Sequence, residues 1–136
     1  MQTLKLRQAQ ELVELALSKA ETDFGRPVCV AVCDAQGFLM AFGRLEGSPV
    51  RSIDISQGKA YSAARMGVTT EAFLERIHRE RIDVAYFCDR GLTALPGGAP
   101  LKAKDGTLLG GAGISGLAAA EDQVIANALA AHVATG

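Results

Sequence analysis

The most informative segment of the sequence is Thr107-Leu108-Leu109-Gly110-Gly111-Ala112-Gly113-Ile114-Ser115-Gly116, an apolar run that becomes glycine-rich just before a helical pattern starts at Ala118. Four of the seven residues from 110 to 116 are glycine. A glycine inside a regular element costs about 0.5–1 kcal/mol relative to alanine, so these four lower the local stability by about 2–4 kcal/mol. We therefore expect a neighbouring element or a flat ligand to pack directly against this backbone.

The spacing of Gly111, Gly113 and Gly116 also matches the fingerprint of dinucleotide-binding folds. That fingerprint requires a further strand after the helix and an acidic residue about 20 positions on. The sequence contains neither, and Glu121 and Asp122 in the first helical turn would compete with a phosphate for the helix N-terminus. We therefore expect a close-packed wall and no nucleotide site.

Composition predicts one compact domain over residues 1–136. The chain is 49% hydrophobic, its net charge is −1, and its basic residues are scattered among acidic ones. This charge pattern excludes the electrostatic surface of a nucleic-acid-binding or membrane-surface protein. No run approaches the roughly 18 apolar residues of a membrane span, and the N-terminus lacks the pattern of a signal peptide. We expect a cytoplasmic protein.

The cysteines and histidines predict no metal site. Cys29 and Cys33 are four residues apart in an extended segment, about 13 Å along a strand, which is beyond disulfide reach. With Cys88, they are expected to be free thiols, and the first two resemble small apolar core residues. Neither His78 nor His132 has a metal-ligand spacing with another candidate. His132 shares the apolar stripe of the last helix, which favours a packed or interface histidine.

The apolar periodicities predict an α+β domain, a roughly five-stranded antiparallel sheet flanked by helices. Residues 83–89 are expected to form either a strand or an irregular link. The other expected elements are a helix over 4–24, a hairpin of strands 28–33 and 38–43, a helix over 52–66, a helix capped by Thr69 or Thr70, a hairpin over 100–110 and the closing helix from Ala118.

Charged residues surround the helix over 52–66, whose surface consists mostly of small residues: Arg44, Glu46, Arg51, Lys59 and Arg65. Cations beside a glycine-rich sheet could bind the carboxylates of a ligand. Alternatively, they form a solvated or salt-bridged face, as surface charges commonly do. Lys59 differs from the rest because small residues flank it, so we expect its ammonium group to have a specific partner.

Seven motifs in order resemble those of the GlcG/HbpS-like family, which includes the C-terminal domain of PduO-type proteins. They are Pro27-Val28 with Ala31-Val32-x-Asp34, then Gly37, Arg44-x-Glu46-Gly47, Lys59-Ala60-Tyr61-Ser62-Ala63, Gly97-Gly98-x-Pro100, Gly110-x-x-Gly113-x-Ser115-Gly116, and Asp122. The resemblance covers nearly the whole chain. It implies a profilin-like fold, homo-oligomerisation, and binding of haem or a related tetrapyrrole, with haem degradation or redox sensing in some members.

The resemblance also implies a ligand site. Family members that bind haem iron through a threonine place it in an Ala-Pro-Thr run, which corresponds here to Val68-Thr69-Thr70. Thr70 is therefore the candidate iron ligand, since the histidine that other members carry in the first helix is absent. The candidate ligand-binding residues are Lys59, Thr70, Gly97, Gly98, Gly113 and Ser115.

Two other functions stay open at this point. One is an enzyme acting on a small oxygenated metabolite, with Lys59, Arg44 and Glu46 as electrophile and acid/base candidates. A pocket that holds these three side chains within hydrogen-bond reach of one another would support it. The other is a non-catalytic assembly subunit that stabilises a partner in a catabolic pathway.

Overall fold

The structure is a computed structural model that describes residues 2–136. Its elements are α1 (Leu6–Lys19), a π-helical turn (Ala20–Phe24), β1 (Cys29–Asp34), β2 (Leu39–Arg44), α2 (Ser52–Met66), α3 (Thr70–Glu80), a 3-10 turn (Val84–Phe87), β3 (Gly98–Lys102), β4 (Leu108–Ser115) and α4 (Ala119–Thr135). Of the two candidate caps for α3, Thr69 is the one used, since its hydroxyl oxygen accepts a hydrogen bond from the Ala72 N–H at 3.0 Å. No helix among these residues has the length and hydropathy needed to cross a membrane.

The α+β class is confirmed, but the described residues form a four-stranded antiparallel sheet in the order β2-β1-β4-β3. The expected count of five was wrong because residues 83–89 add no strand. The Asp83 carboxylate accepts a hydrogen bond from the Ala85 N–H at 2.8 Å and starts a 3-10 turn, which ends where Cys88 is left-handed at φ 56°. β4 pairs with both β1 and β3, so the glycine-rich strand lies inside the sheet.

β1 is the other inner strand and is covered on both faces, as its continuous apolar run predicts. Its register with β4 pairs Ala31 with Gly113 and Val32 with Ala112. Val30 and Val32 belong to the main core, which α1 and α4 cover. Ala31 and Cys33 face the other way and pack against Ala60 and Ala64 of α2.

The glycines of β4 allow the backbone of α2 to lie against the sheet. A Cβ atom on Gly111 would collide with the carbonyl oxygen of Ala60, and one on Gly113 with that of Ser56. Backbone atoms cannot rotate away as a side chain does, so alanine cannot be accommodated without moving the helix. The sequence predicted that either a neighbouring element or a flat ligand packs against the glycine-rich backbone, and α2 is that neighbouring element at Gly111 and Gly113.

The face of β2 on the α2 side of the sheet stays uncovered. Phe42 pairs with Ala31 and so points to that side, but α2 packs mainly on β4, β1 and β3. Phe42, with Phe38 and Leu39 beside it, is exposed. The edge of the sheet therefore carries a small apolar surface.

Candidate functional site

Lys59 is one of the largest fully buried side chains, and its ammonium group has two partners. Its Nζ donates to the Ile114 carbonyl oxygen at 2.7 Å and to Asp122 Oδ2 at 3.0 Å. The second oxygen of Asp122 accepts from the Leu117 N–H at 3.1 Å. The expected specific partner of Lys59 therefore exists, and it is a carboxylate of the same chain.

Glycines make room for this ion pair. A Cβ atom on Gly97, whose φ is +129°, would lie 2.6 Å from Lys59 Nζ and 2.9 Å from Asp122 Cβ. A Cβ on Gly98 would lie 2.5 Å from the Lys59 carbonyl oxygen. Burial has the largest effect on the pKa values of this pair: it lowers the pKa of Lys59 and raises the pKa of Asp122. The attraction between the two charges acts in the opposite direction on both pKa values but is the smaller effect.

A second set of hydrogen bonds joins the start of α3 to α4 through the segment before β3. The Gly98 N–H donates to Thr70 Oγ1 at 2.8 Å, and the Gly97 N–H donates to Gln123 Oε1 at 2.6 Å. Gln123 Nε2 donates to the Gly98 carbonyl oxygen at 2.9 Å. The Thr70 hydroxyl in turn donates to Gln123 Oε1, at 3.5 Å. Gln123 was missed by the sequence reasoning, because a glutamine in a helix has no local signal for such a role.

Together these residues form what we call the buried polar cluster: Lys59, Thr70, Gly97, Gly98, Asp122 and Gln123. It contains four of the predicted ligand-binding residues, and a fifth, Gly113, lies beside it, since a Cβ atom there would be 3.0 Å from Lys59 Cβ. Every buried side-chain nitrogen or oxygen within residues 2–136 has a hydrogen-bond partner. The cluster is therefore internally satisfied and offers no free polar atom to a ligand in this conformation.

The other predicted site residues, Ser115, Arg44 and Glu46, do not contact the Lys59–Asp122 ion pair. The Ser115 hydroxyl donates to Ser52 Oγ at 3.0 Å and so links the end of β4 to the start of α2. Ser115 does not cap α4, because the N-cap of that helix is Ala118. Arg44 and Glu46 are exposed, and the hydrogen bonds of Lys59 run to Ile114 and Asp122. The structure does not bring Lys59, Arg44 and Glu46 together as an acid/base group.

A surface groove, here called the α1–α4 groove, lies between the first turns of α1, the β3–β4 hairpin and the end of α4. Its volume is about 570 Å³. Apolar side chains of Leu12, Leu109 and Val133 line it together with two lysines, Lys5 and Lys104. The C-terminal part of α4 adds His132.

His132 is exposed in this groove, so of the two expected settings, packed or interface, the packed one was wrong and the interface one stays a prediction. Leu129 is the last buried residue of α4, and Val133 in the following turn is only partly buried. The groove combines residues from both ends of the chain, and no local pattern could have indicated it.

The cysteines are free, as expected, with Cys29 and Cys33 buried and Cys88 exposed. Burial raises the pKa of the Cys33 thiol to about 12. Among the described residues, no group of three or more His, Cys, Asp or Glu side chains could hold a metal ion.

Comparison with known proteins places this geometry among haem-related proteins. A family model described as "Haem degrading protein HbpS-like" matches residues 4–131. A double mutant of HbpS from Streptomyces reticuli is 30% identical with a TM-score of 0.87, and the match covers 98% of this chain and 88% of that one. A PduOC:heme complex is 26% identical with a TM-score of 0.84, covering 96% and 94% of the two chains.

The Klebsiella pneumoniae protein ORFY is 25% identical with a TM-score of 0.85, over 96% of this chain and 90% of that one. A search of curated proteins found no significant match.

Proposed function

The chain belongs to the HbpS-like family of haem-degrading proteins, and on this premise we propose that it binds haem or a closely related tetrapyrrole in the α1–α4 groove. The observation that carries the proposal is a groove of about 570 Å³ lined by two lysines, with partly exposed Ala103 and Val133 beside them. This volume lies within the range of roughly 300–1,000 Å³ that ligand sites occupy. The PduOC:heme complex, which shares the fold, supports the same ligand class.

The residues of the groove fit the propionates of haem more closely than its macrocycle. The macrocycle is flat and apolar, but Leu12 and Leu109 are only 2% and 8% exposed, so its apolar contacts would come mainly from Ala103 and Val133. The propionates are carboxylates, for which the ammonium groups of Lys5 and Lys104 are suitable partners. Bound haem would supply an iron centre for redox chemistry.

Lys5 is also the N-cap of α1, so the N-terminal end of this helix opens at the groove. The partial positive charge of a helix N-terminus favours carboxylates there. The acidic side chain of Glu11 also lines the groove, opposite in sign to the two lysines. The lysines and the helix end together leave the groove attractive to an anion.

We propose a supporting role for the buried polar cluster, although several of its residues were expected to touch the ligand. Lys59 and Thr70 are at most 1% exposed, so a ligand could reach them only if the cluster opened. The hydrogen bonds of the cluster join α2, α3 and α4 to the segment before β3. This positions α4, whose far end lines the groove.

Titration with haemin tests the proposal. We expect saturable binding with a shift of the Soret band. Lys104→Glu should weaken binding about fivefold or more, equivalent to about 1 kcal/mol for a reversed charge near a propionate. Lys102→Glu is the matched control, because Lys102 lies on the same hairpin but does not line the groove. Absence of a saturable Soret shift would refute haem binding, and equal effects of the two substitutions would refute the groove as its site.

Degradation is tested on the same samples. Incubation with ascorbate in air, with catalase present to remove hydrogen peroxide from solution, should bleach the Soret band and release chelatable iron. A stable band would show that the chain binds haem without degrading it.

We propose self-association for the profilin-like domain, as the family resemblance implies, through the uncovered face of β2. Phe38 and Leu39 are 66% and 50% exposed there, and Phe42 continues the apolar surface. Native mass spectrometry should show a homo-oligomer that Leu39→Asp disrupts. A monomeric wild-type protein would refute this. A cytoplasmic location stays a prediction.

A further inference from the structure

We infer that the outer edge of β2 pairs with the same edge of a second copy of this chain, antiparallel and in a register centred on Gly43. This contact rests on the self-association proposed above and adds main-chain pairing to the apolar face. The sheet order β2-β1-β4-β3 leaves β2 and β3 at the two edges. The unpaired N–H and C=O groups of an edge strand are a template for a further strand.

The two edges differ in how well they are protected. β3 contains Pro100, which has no N–H, and Lys102, and both α2 and α4 pack against it. Proline and lysine are typical of edges that resist an added strand. Residues 38–43, at the other edge, contain neither proline nor a charged side chain. β2 is therefore the edge that is open to pairing.

The pairing of β2 with β1 fixes which of its main-chain groups face outward. The Leu45 N–H donates to the Val28 carbonyl oxygen at 3.1 Å. Hydrogen-bonded and non-hydrogen-bonded residues alternate along an antiparallel ladder. Gly43 is therefore bonded to β1, whereas Phe42 and Arg44 direct their N–H and C=O groups to the outer edge.

Residues 42–44 are their own complement about a two-fold axis at Gly43. Phe42 of one copy then lies opposite Arg44 of the other, and the two residues exchange both hydrogen bonds. A register shift at Met40 interrupts β2 on one side, so this axis uses only the regular part of the strand. An axis at Arg44 would place two like charges opposite each other, which is unfavourable. A symmetric homodimer requires such a self-complementary surface, and a second copy is therefore the partner.

The side chains leave room for the second copy. A Cβ atom on Gly43 would point to α1 and lie 2.7 Å from Val13 Cγ1, so no side chain separates the copies at the axis. On the α2 side, the Arg44 guanidinium can lie on the Phe42 ring of the other copy as a cation–π contact. Beside α1, this edge carries a hollow of about 350 Å³, lined by Gln10, Val13, Glu14, Met40, Ala41 and Phe42. Glu14 is exposed, so its carboxylate can turn to solvent.

Two substitutions at one position separate main-chain pairing from apolar contact. Phe42→Pro and Phe42→Ala both remove the aromatic ring, but only proline removes the outward N–H, and it leaves the ladder with β1 intact. Because each dimer then loses two hydrogen bonds, Phe42→Pro should associate about tenfold or more weakly than Phe42→Ala in analytical ultracentrifugation. Circular dichroism shows whether both variants are folded.

Mixed disulfides test the register and do not depend on the proline variant. The background is Cys29→Ala with Cys88→Ser, which removes the thiol of β1 opposite Arg44 and the exposed thiol. Chains with Phe42→Cys are mixed with chains with Arg44→Cys and oxidised. The mixture should give at least about threefold more linked dimer than either chain alone, because opposite residues are about 5.5 Å apart between Cα atoms and like residues are diagonal neighbours at about 7–8 Å.

The outcomes separate edge pairing from self-association as such. A monomeric wild type would remove the proposed self-association, and the edge pairing with it. An oligomeric wild type whose folded Phe42→Pro and Phe42→Ala variants associate equally would overturn the edge pairing alone. Equal linking of the mixture and of the separate chains would also overturn it, because the register centred on Gly43 would then be wrong. If Phe42→Pro does not fold, the mixed disulfide decides.

Discussion

Replacing Lys59 with methionine should destabilise the fold more than almost any other polar substitution in this chain. The ammonium group is 1% exposed, 3.0 Å from Asp122 Oδ2 and 2.7 Å from the Ile114 carbonyl oxygen. Methionine fills much of the same space but leaves the Asp122 carboxylate buried without a counter-charge. Removing one partner of a buried ion pair costs about 3–5 kcal/mol. Because domains are stable by about 5–15 kcal/mol, this is a large fraction of the total.

Urea unfolding at pH 7, followed by far-UV circular dichroism, measures this cost. The set comprises the wild type, Lys59→Met, Asp122→Asn and the double variant. The asparagine oxygen can still accept from the Leu117 N–H, which lies 3.1 Å from Asp122 Oδ1 in the wild type. The double variant contains no unpaired charge, so it should be more stable than the sum of the single effects predicts, by about 1.5 kcal/mol or more.

Glu80→Gln is the matched control. Glu80 pairs with Arg76 at the same distance of 3.0 Å, but both side chains are more than 40% exposed. Its loss should cost no more than about 0.5 kcal/mol. A cost below about 1 kcal/mol for Lys59→Met, with additive single effects, would show that the buried pair does not hold α2 to α4.

Packing and burial give four further predictions. Gly113→Ala should lower the unfolding free energy by about 3 kcal/mol or fail to fold, because its Cβ would meet the α2 backbone. Gly58→Ala, whose Cβ would lie at ordinary contact distance from Thr93 Cγ2 (3.6 Å) and the Gly91 carbonyl oxygen (3.8 Å), should instead stabilise α2 by up to about 1 kcal/mol in urea unfolding. In the folded protein only the exposed thiol, Cys88, should react rapidly with Ellman's reagent, whereas all three thiols should react in denaturant. Rapid reaction of more than one thiol in the folded protein would contradict the burial of Cys29 and Cys33. Because the Cys33 pKa is about 12 when folded against 9.0 when unfolded, the unfolded thiol loses its proton first. Stability should therefore fall as pH rises from 9 towards 12, by up to about 1.4 kcal/mol per pH unit, and a flat profile would contradict this.

The helices and the inner strand β1 could be read from the sequence because their signals are local. The helix expected over 52–66 is α2 with the same bounds, and α1 with its π-helical turn covers most of the range expected for the first helix. The apolar run before Asp34 indicated a strand covered on both faces, and β1 is one. Residues 83–89 could not be assigned because a short apolar segment suits a strand or a turn, and the Asp83 side chain decides between them.

The glycine content of residues 110–116 was enough to predict a close backbone contact, because glycine inside a strand often marks such an approach. Packing of the whole chain was needed to show that α2 contacts Gly111 and Gly113, and that Lys59 is paired with a carboxylate 63 residues away. Likewise, only the fold brings the first turns of α1 beside His132 and makes a groove from the two ends of the chain. The reason is physical: periodicity and glycine content report the steric needs of one segment, whereas the partner of a buried charge depends on which distant segments the packed core brings together.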